Sequence, residues 1–236
     1  MATLLSGIIT NARYTLNEPT ASFWSDAELL TYAVDAVRAL WREILDLGEG
    51  HFQTKDETNV SLAASATTLT GVPTDVFRVS LLEVRDLTSS ASVFNLTFEP
   101  KHTNDPDFTA ARGLGSVDPN GRIIYYALTG AGGPIAAPTI EVAPKITSAV
   151  NLRLIYNPTL AAMTAASNNP IPGESDHAIQ AFIIAHARAR EREDRSPDPE
   201  WMAIFESDKL NLMQALTPRQ TQEPETVEAL FESYWS

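Results

Sequence analysis

Two hydrophobic periods follow one another along the chain: helical at both ends, strand-like in the middle. Residues 23–48 read FWSDAELLTYAVDAVRALWREILDLG. Leu30, Val34, Val37, Trp41 and Ile44 recur at three- and four-residue spacing, with Ala33 and Leu40 beside them, so one face of a helix is apolar. Ser25 followed by Glu28 predicts a capping box, in which the hydroxyl accepts a first-turn N–H and the Glu reaches back to the cap N–H. Asp26 and Glu28 suit the positive end of the helix dipole, and Gly48 follows the last apolar residue. The predicted helix has roughly 22 residues and is about 33 Å long. Phe23 or Trp24 is placed to staple onto Leu29 or Leu30, and Trp24 and Trp41 read as core residues. Ahead of it, Leu4, Leu5, Ile8, Ile9, Ala12 and Leu16 predict a shorter helix, broken by Asn17-Glu18-Pro19-Thr20.

From residue 52 the period changes. Short apolar runs alternate with Thr, Ser, Pro and Gly. Residues 60–69, 76–84, 93–98, 123–128, 139–142 and 150–156 read as strands, the second being the best defined. Residues 101–119 read as a long polar loop with Asn104-Asp105-Pro106 and Asp118-Pro119-Asn120-Gly121 as turns. This spacing predicts a compact β-sandwich or barrel.

The helical period returns after a linker that ends in NNPIPGES. Ser175 is the predicted N-cap, and Ile179, Phe182, Ile183, His186 and Arg190 share a stripe. Residues 187–195, ARAREREDR, are charged all round, which fits a solvated helix end or a surface between subunits. Asp198 caps a last helix with Pro199 in its first turn and Trp201, Ile204, Phe205, Leu212 and Leu216 on its apolar face. Residues 217–236 are polar and acidic, then end in Leu230, Phe231, Tyr234 and Trp235. Solvating such aromatics is costly, so this tail is expected to dock on something.

The predicted fold is therefore α+β: a four-helix bundle from the N- and C-terminal segments, an inserted β-sandwich or barrel-like domain, and an extended C-terminal tail. The predicted boundaries are 1–50 with 173–216 for the bundle, 51–157 for the β-rich domain, 158–172 for the linker and 217–236 for the tail.

Composition then narrows the chemistry. The 236 residues contain no cysteine, which removes disulfides, thiol catalysis and cysteine-based zinc sites. No apolar run is long enough to span a membrane, and the opening residues lack the basic region of a signal peptide, so assembly in the cytoplasm is expected. The net charge of −13 argues against sequence-specific nucleic-acid binding. An acidic wall also lets DNA pass without sticking, although ordinary solubility gives the same composition. His51, His102, His177 and His186 have no metal-ligand spacing, and His186 reads as a core or interface residue. The glycines at 130–133 precede neither a helix start nor a Lys-Ser/Thr pair, and Gly113-Leu114-Gly115-Ser116 is not a nucleophile elbow. Asp105 and Asp107 sit beside a proline and are weak cation ligands, and the acids at 191–194 are interleaved with arginines. No catalytic residue, metal or cofactor is predicted; the chemistry reads as recognition and assembly.

The order of WSDAELLTYAVDAVRALWREI, IIYYALTG, VNLRLIYNPTL, IPGESDHAIQAFIIAHARAREREDR and ALTPRQ with its acidic, aromatic-tipped tail resembles a head-to-tail adaptor (connector) protein of tailed bacteriophages. The resemblance covers nearly the whole chain. It implies a ring of twelve copies on the portal protein, with tail or nozzle proteins below and genome DNA passing through the channel. It implies a place in the virion neck. The portal-docking segment is then 217–236, with Leu230, Phe231, Tyr234 and Trp235 as anchors. A closed ring needs one patch to meet a different patch on the next subunit; Arg188, Arg190, Glu191, Arg192 and Arg195 are the candidate for one side. Two other readings stay open: a neck or tail-completion protein that binds elsewhere, and a virion carbohydrate-binding or hydrolytic module using Tyr125, Tyr126 and the loop acids.

Overall fold

A computed structural model of the chain describes residues 3–47, 50–85, 96–130, 137–171, 173–193 and 196–217. Among them run the helices α1 (Leu5–Thr15), α2 (Asp26–Asp46), α3 (Pro106–Arg112), α4 (Asp176–Glu191) and α5 (Pro199–Leu216). The strands are β1 (Thr54–Asp56), β2 (Ser61–Leu62), β3 (Val76–Val84), β4 (Thr97–Pro100), β5 (Ile123–Thr129), β6 (Thr139–Ala143) and β7 (Val150–Pro158). The chain divides into two compact units, Met1–Glu49 with Ala162–Ser236, and Gly50–Ala161.

In the first unit the Ser25 hydroxyl accepts the Glu28 N–H at 3.2 Å, and α2 starts there. The other half of the predicted capping box does not form. The Glu28 carboxylate instead accepts the Tyr32 hydroxyl at 3.1 Å and pairs with Arg190. The buried face of α2 carries Leu29, Ala33, Ala36, Val37, Leu40, Trp41, Ile44 and Leu45, while Leu30 and Val34 are half-buried, so the stripe is turned by about one position from the predicted one. Gly48, the predicted C-cap, lies outside the described residues. α1 buries Leu5, Ile8, Ile9 and Ala12. It has no side-chain cap; the Leu5 and Ser6 N–H groups donate to the Ser167 and Ala165 carbonyls, both at 3.0 Å, which satisfies the free donors of its first turn. Arg13, only 4% exposed, ties α1 to the start of α2. Its Nη2 donates to Asp26 Oδ1 and to the Trp24 carbonyl, both at 2.7 Å.

α4 decides the architecture of this unit. Ala178, Ile179, Ala181, Ile183, Ile184, Ala185, Ala187 and Ala189 are all buried, and at 100° per residue they surround the helix. α1, α2 and α5 each pack against it. The predicted four-helix bundle is corrected: in a bundle each helix gives one stripe to a shared core, whereas α4 is itself the core. The chain is α+β, with five helices and seven strands in two sheets among the described residues. The reading of one stripe from Ile179 to Arg190 missed the alanines, which count weakly in a hydrophobic pattern yet let neighbouring backbones approach. Ser175 is the N-cap residue of α4 as predicted, but its side chain makes no capping hydrogen bond; the hydroxyl instead accepts from Asn169 Nδ2 at 2.9 Å. Asp198 caps α5 as predicted, accepting the Glu200 N–H at 3.0 Å with Pro199 in the first turn.

In the second unit β7 is central. β1 and β3 both pair antiparallel with its residues 154–156, so they occupy its two edges, and β2 pairs further along at Val150 and Asn151. β5 centres the other sheet, parallel to β4 and antiparallel to β6. Residues 67–70 link the sheets: Leu69 N–H donates to the Ile140 carbonyl at 2.9 Å, Val142 N–H to Thr67 at 2.8 Å, and Thr70 N–H to Ser61 at 2.9 Å. Leu62, Leu82, Ile124, Ile140, Ile146, Leu152 and Leu154 form one core between them. α3 lies inside the segment predicted as a polar loop. Asp105 caps it by accepting the Asp107 N–H at 2.9 Å, Pro106 opens it, and fully buried Phe108 packs with Ala111, Ala127 and Ala143.

Candidate assembly surfaces

The charged end of α4 is where the sequence places one side of a subunit interface. The structure engages most of its arginines within the first unit. Arg190 pairs with Glu28 and lies 5.3 Å from the Phe23 ring centroid. Arg188 lies over the Trp201 ring at 5.4 Å, and Arg192 Nη2 is 3.1 Å from Asp198 Oδ2. Arg190, Glu191 and Arg192 are nonetheless exposed. Glu191, Arg188 and Arg192 line a polar cleft of about 370 Å³ with Thr15, Asn17 and Asp198. The cleft mixes both signs of charge, the character of a polar rim. Arg195, Leu230, Phe231, Tyr234 and Trp235 lie outside the described residues.

Sequence reasoning missed a second surface. Hydrogen-bonded pairing runs from β3 through β7, β2, residues 67–70, β6 and β5 to β4. Among the described residues nothing pairs β3 with β4, so the circuit has one seam. A groove of about 280 Å³ lies there, lined by Phe77 and Arg78 of β3, Lys101 and His102 after β4, and Tyr126 and Leu128 of β5. Two register shifts bend β3 at this stretch, between Val76 and Arg78 and between Val79 and Leu81, and such bulges re-aim side chains. The apolar, β-branched run marks 76–84 as a strand; it carries no sign of which edge stays unpaired.

The remaining candidates have structural roles. Trp24 and Trp41 are buried as predicted, and Trp24 Nε1 donates to the Ala187 carbonyl at 3.1 Å. His186 stacks between Tyr32 and Phe182 at 5.4 and 4.3 Å, and burial lowers its pKa against the opposing pull of Asp35. His177 Nδ1 is 2.6 Å from Asp208 Oδ2. Asp105 and Asp107 pair with Lys101 at 3.8 and 3.1 Å. Tyr125 sits under Lys101, and Tyr126 is buried, its pKa raised by desolvation. Neither the β-unit groove nor the α4 cleft sets two carboxylates against aromatic rings, as the glycosidase reading requires. Among the same residues no group of acids and histidines is placed to hold a metal, and no helix is long and apolar enough to cross a membrane.

A family model described as SU10 adaptor protein matches residues 3–227. The chain belongs to the SU10 adaptor family. The match spans both units and reaches into the C-terminal segment. No curated protein matches the chain. The SU10 adaptors are a phage head-to-tail adaptor family, which gives the chain a structural role, association with other virion components such as portal and tail proteins, and a place at the virion neck.

Proposed function

We propose that the chain closes into a ring of twelve copies below the portal, joins the DNA-filled head to the tail, and lets genome DNA pass without sequence-specific binding. The observation that carries this reading is the adaptor-family match over residues 3–227. In this reading residues 1–50 and 173–216 build the ring, 51–157 form the inserted domain behind the 158–172 linker, and 217–236 reach the portal. Leu230, Phe231, Tyr234 and Trp235 are the anchors, because aromatic side chains seated in pockets dominate interface energies. Arg188, Arg190, Glu191, Arg192 and Arg195 form one side of the contact between neighbours, a heterologous interface of the kind that closes rings. The other side of the ring receives tail or nozzle proteins. The net charge of −13 supports a channel wall from which DNA is repelled. Assembly takes place in the host cytoplasm.

Electron microscopy of the chain mixed with its cognate portal tests this. The expected image is a ring capping one end of the portal; a bare portal with both proteins folded overturns the reading. A chain lacking residues 217–236 is expected to keep its helical circular-dichroism signal and lose portal binding. Retained binding removes the tail assignment alone.

A further inference from the structure

We propose that the seam between β3 and β4 is a docking site for an extended segment of another protein that presents an aromatic side chain beside carboxylates. The first ground is geometric. β3 and β4 are neighbouring edges without mutual hydrogen bonds among the described residues, and exposed strand edges are where extended segments add. The groove between them, about 280 Å³, is at or below the small end of ordinary small-molecule sites and suits one bulky side chain. The second ground is the lining. Phe77 and Tyr126 are in the lining, which gives the groove an aromatic character suited to an incoming ring. The Tyr126 hydroxyl has no hydrogen-bond partner among the described residues, although the residue is only 5% exposed. The third ground is charge. Lys101 is already held by Asp105 and Asp107, a cluster whose charges leave no cation to spare, so Arg78 is the arginine the lining offers a carboxylate. Arg78 is exposed, and among the described residues it has no acidic partner. Among the described residues six of the ten other arginines have one: Arg13, Arg38, Arg112, Arg153, Arg190 and Arg192 are ion-paired. A guanidinium without an acidic partner in the lining of an aromatic groove is a fork for a carboxylate. The bulges in β3 break its regular edge, so the side-chain anchor and Arg78 carry recognition more than a continuous ladder does.

The proposal does not rest on the ring reading, and its test needs only the folded full-length chain. The probe is the blocked peptide Glu-Glu-Trp-Glu-Glu, titrated into isotope-labelled protein and followed by amide NMR shifts. Shifts are expected at Phe77, Arg78, His102 and Tyr126, weakening as salt is raised. Arg78→Glu is expected to lower the affinity by about tenfold or more, equivalent to ~1.4 kcal/mol. Arg78→Lys is expected to lose part of it, by losing the planar fork. Arg122→Glu, a control at an exposed arginine outside the groove, leaves binding within about twofold and shows that net charge alone is not the cause. Absence of shifts at millimolar peptide overturns the proposal. So does equal binding of Lys-Lys-Trp-Lys-Lys or of Glu-Glu-Ala-Glu-Glu, or an Arg78→Glu protein that binds normally. Concentration-dependent shifts at Phe77 without peptide assign the groove to a second copy, and the same shifts with a single-stranded oligonucleotide assign it to nucleic acid; either overturns it.

Discussion

Each of the two units is organised by one element that arrives late in its own stretch of chain. In the helical unit that element is α4, buried on all sides and built largely of alanine. In the β unit it is β7, which pairs with three strands and alternates buried Leu152, Leu154 and Tyr156 with more exposed residues. The two centres work by different physics. α4 is held by shape: small side chains let three helices approach, and its own hydrogen bonds are internal. β7 is held by ladders, and its neighbours need its backbone. The consequence differs too. A helix packed on all sides leaves few unmet polar groups, and the charged end of α4 is already paired. A sheet that does not close on itself has edges, and among the described residues the β unit keeps a seam between β3 and β4. Substitutions at the two centres therefore fail for opposite reasons.

The largest effect is expected at β7. Leu154→Ala removes a side chain with no exposure and is expected to cost about 2–5 kcal/mol in chemical unfolding, the range for a cavity in a tight core. A loss well under ~1 kcal/mol would show that β7 is not the centre of its unit. At α4 the damaging change is the reverse one. Ala185→Leu is expected to cost about 1–3 kcal/mol by overpacking, while Ala203→Leu on the exposed side of α5 stays within about 0.5 kcal/mol. If both are tolerated alike, the alanines of α4 do not set helix spacing. Ser25→Ala is expected to cost about 1 kcal/mol, since the Glu28 N–H loses its acceptor; Ser25→Asp restores it.

The smallest effects set the units apart by pH. His186 in the helical unit has a lowered pKa, first through burial. The unfolded chain takes up this proton near 6.5 and the folded chain resists it, so stability falls as pH drops below about 6.5. Tyr156 in the β unit is pushed up to about 12 by burial and by the neighbouring carboxylates Asp75 and Asp56. The unfolded chain releases this proton near 10 while the folded chain keeps it, so stability is lost as pH rises from 10 towards 12. His186→Phe is expected to flatten the acid limb and Tyr156→Phe the alkaline limb of the same unfolding curve. Interchanged effects would overturn this division.

How well each element can be read from sequence follows from the same contrast. α2 announces itself, because Ser25, Asp26, Glu28 and its spaced apolar residues all act locally. β3 and β5 do so as well, through short runs rich in β-branched and aromatic residues. The role of α4 does not appear, since alanine scores as neither core nor surface and its burial is imposed by neighbours far away in sequence. α3 is hidden by its seven-residue length, though Asp105-Pro106 is a cap followed by a first-turn proline and was a usable signal. The three residues of β1 carry no period at all; only pairing with β7 makes them a strand. Of the candidate surfaces, the arginines at 188, 190 and 192 could be named from their clustering. Their internal partners Trp201, Glu28 and Asp198 could not, and neither could the seam, because an unpaired edge is a property of topology.

The arrangement around α4 also has a consequence in time. About 130 residues separate the end of α2 from the start of α4, which is roughly 7–26 s of translation at about 5–20 residues per second. During that interval α1 and α2 have been synthesised, yet the helix that fills their shared hollow does not exist. Leu29, Val37, Leu40 and Ile44 must wait in water or against a temporary cover while every strand of the β unit is made. The newborn chain thus matures from its middle outwards. Its vulnerability to aggregation and proteolysis on the ribosome is concentrated at its beginning, although the last helices relieve it.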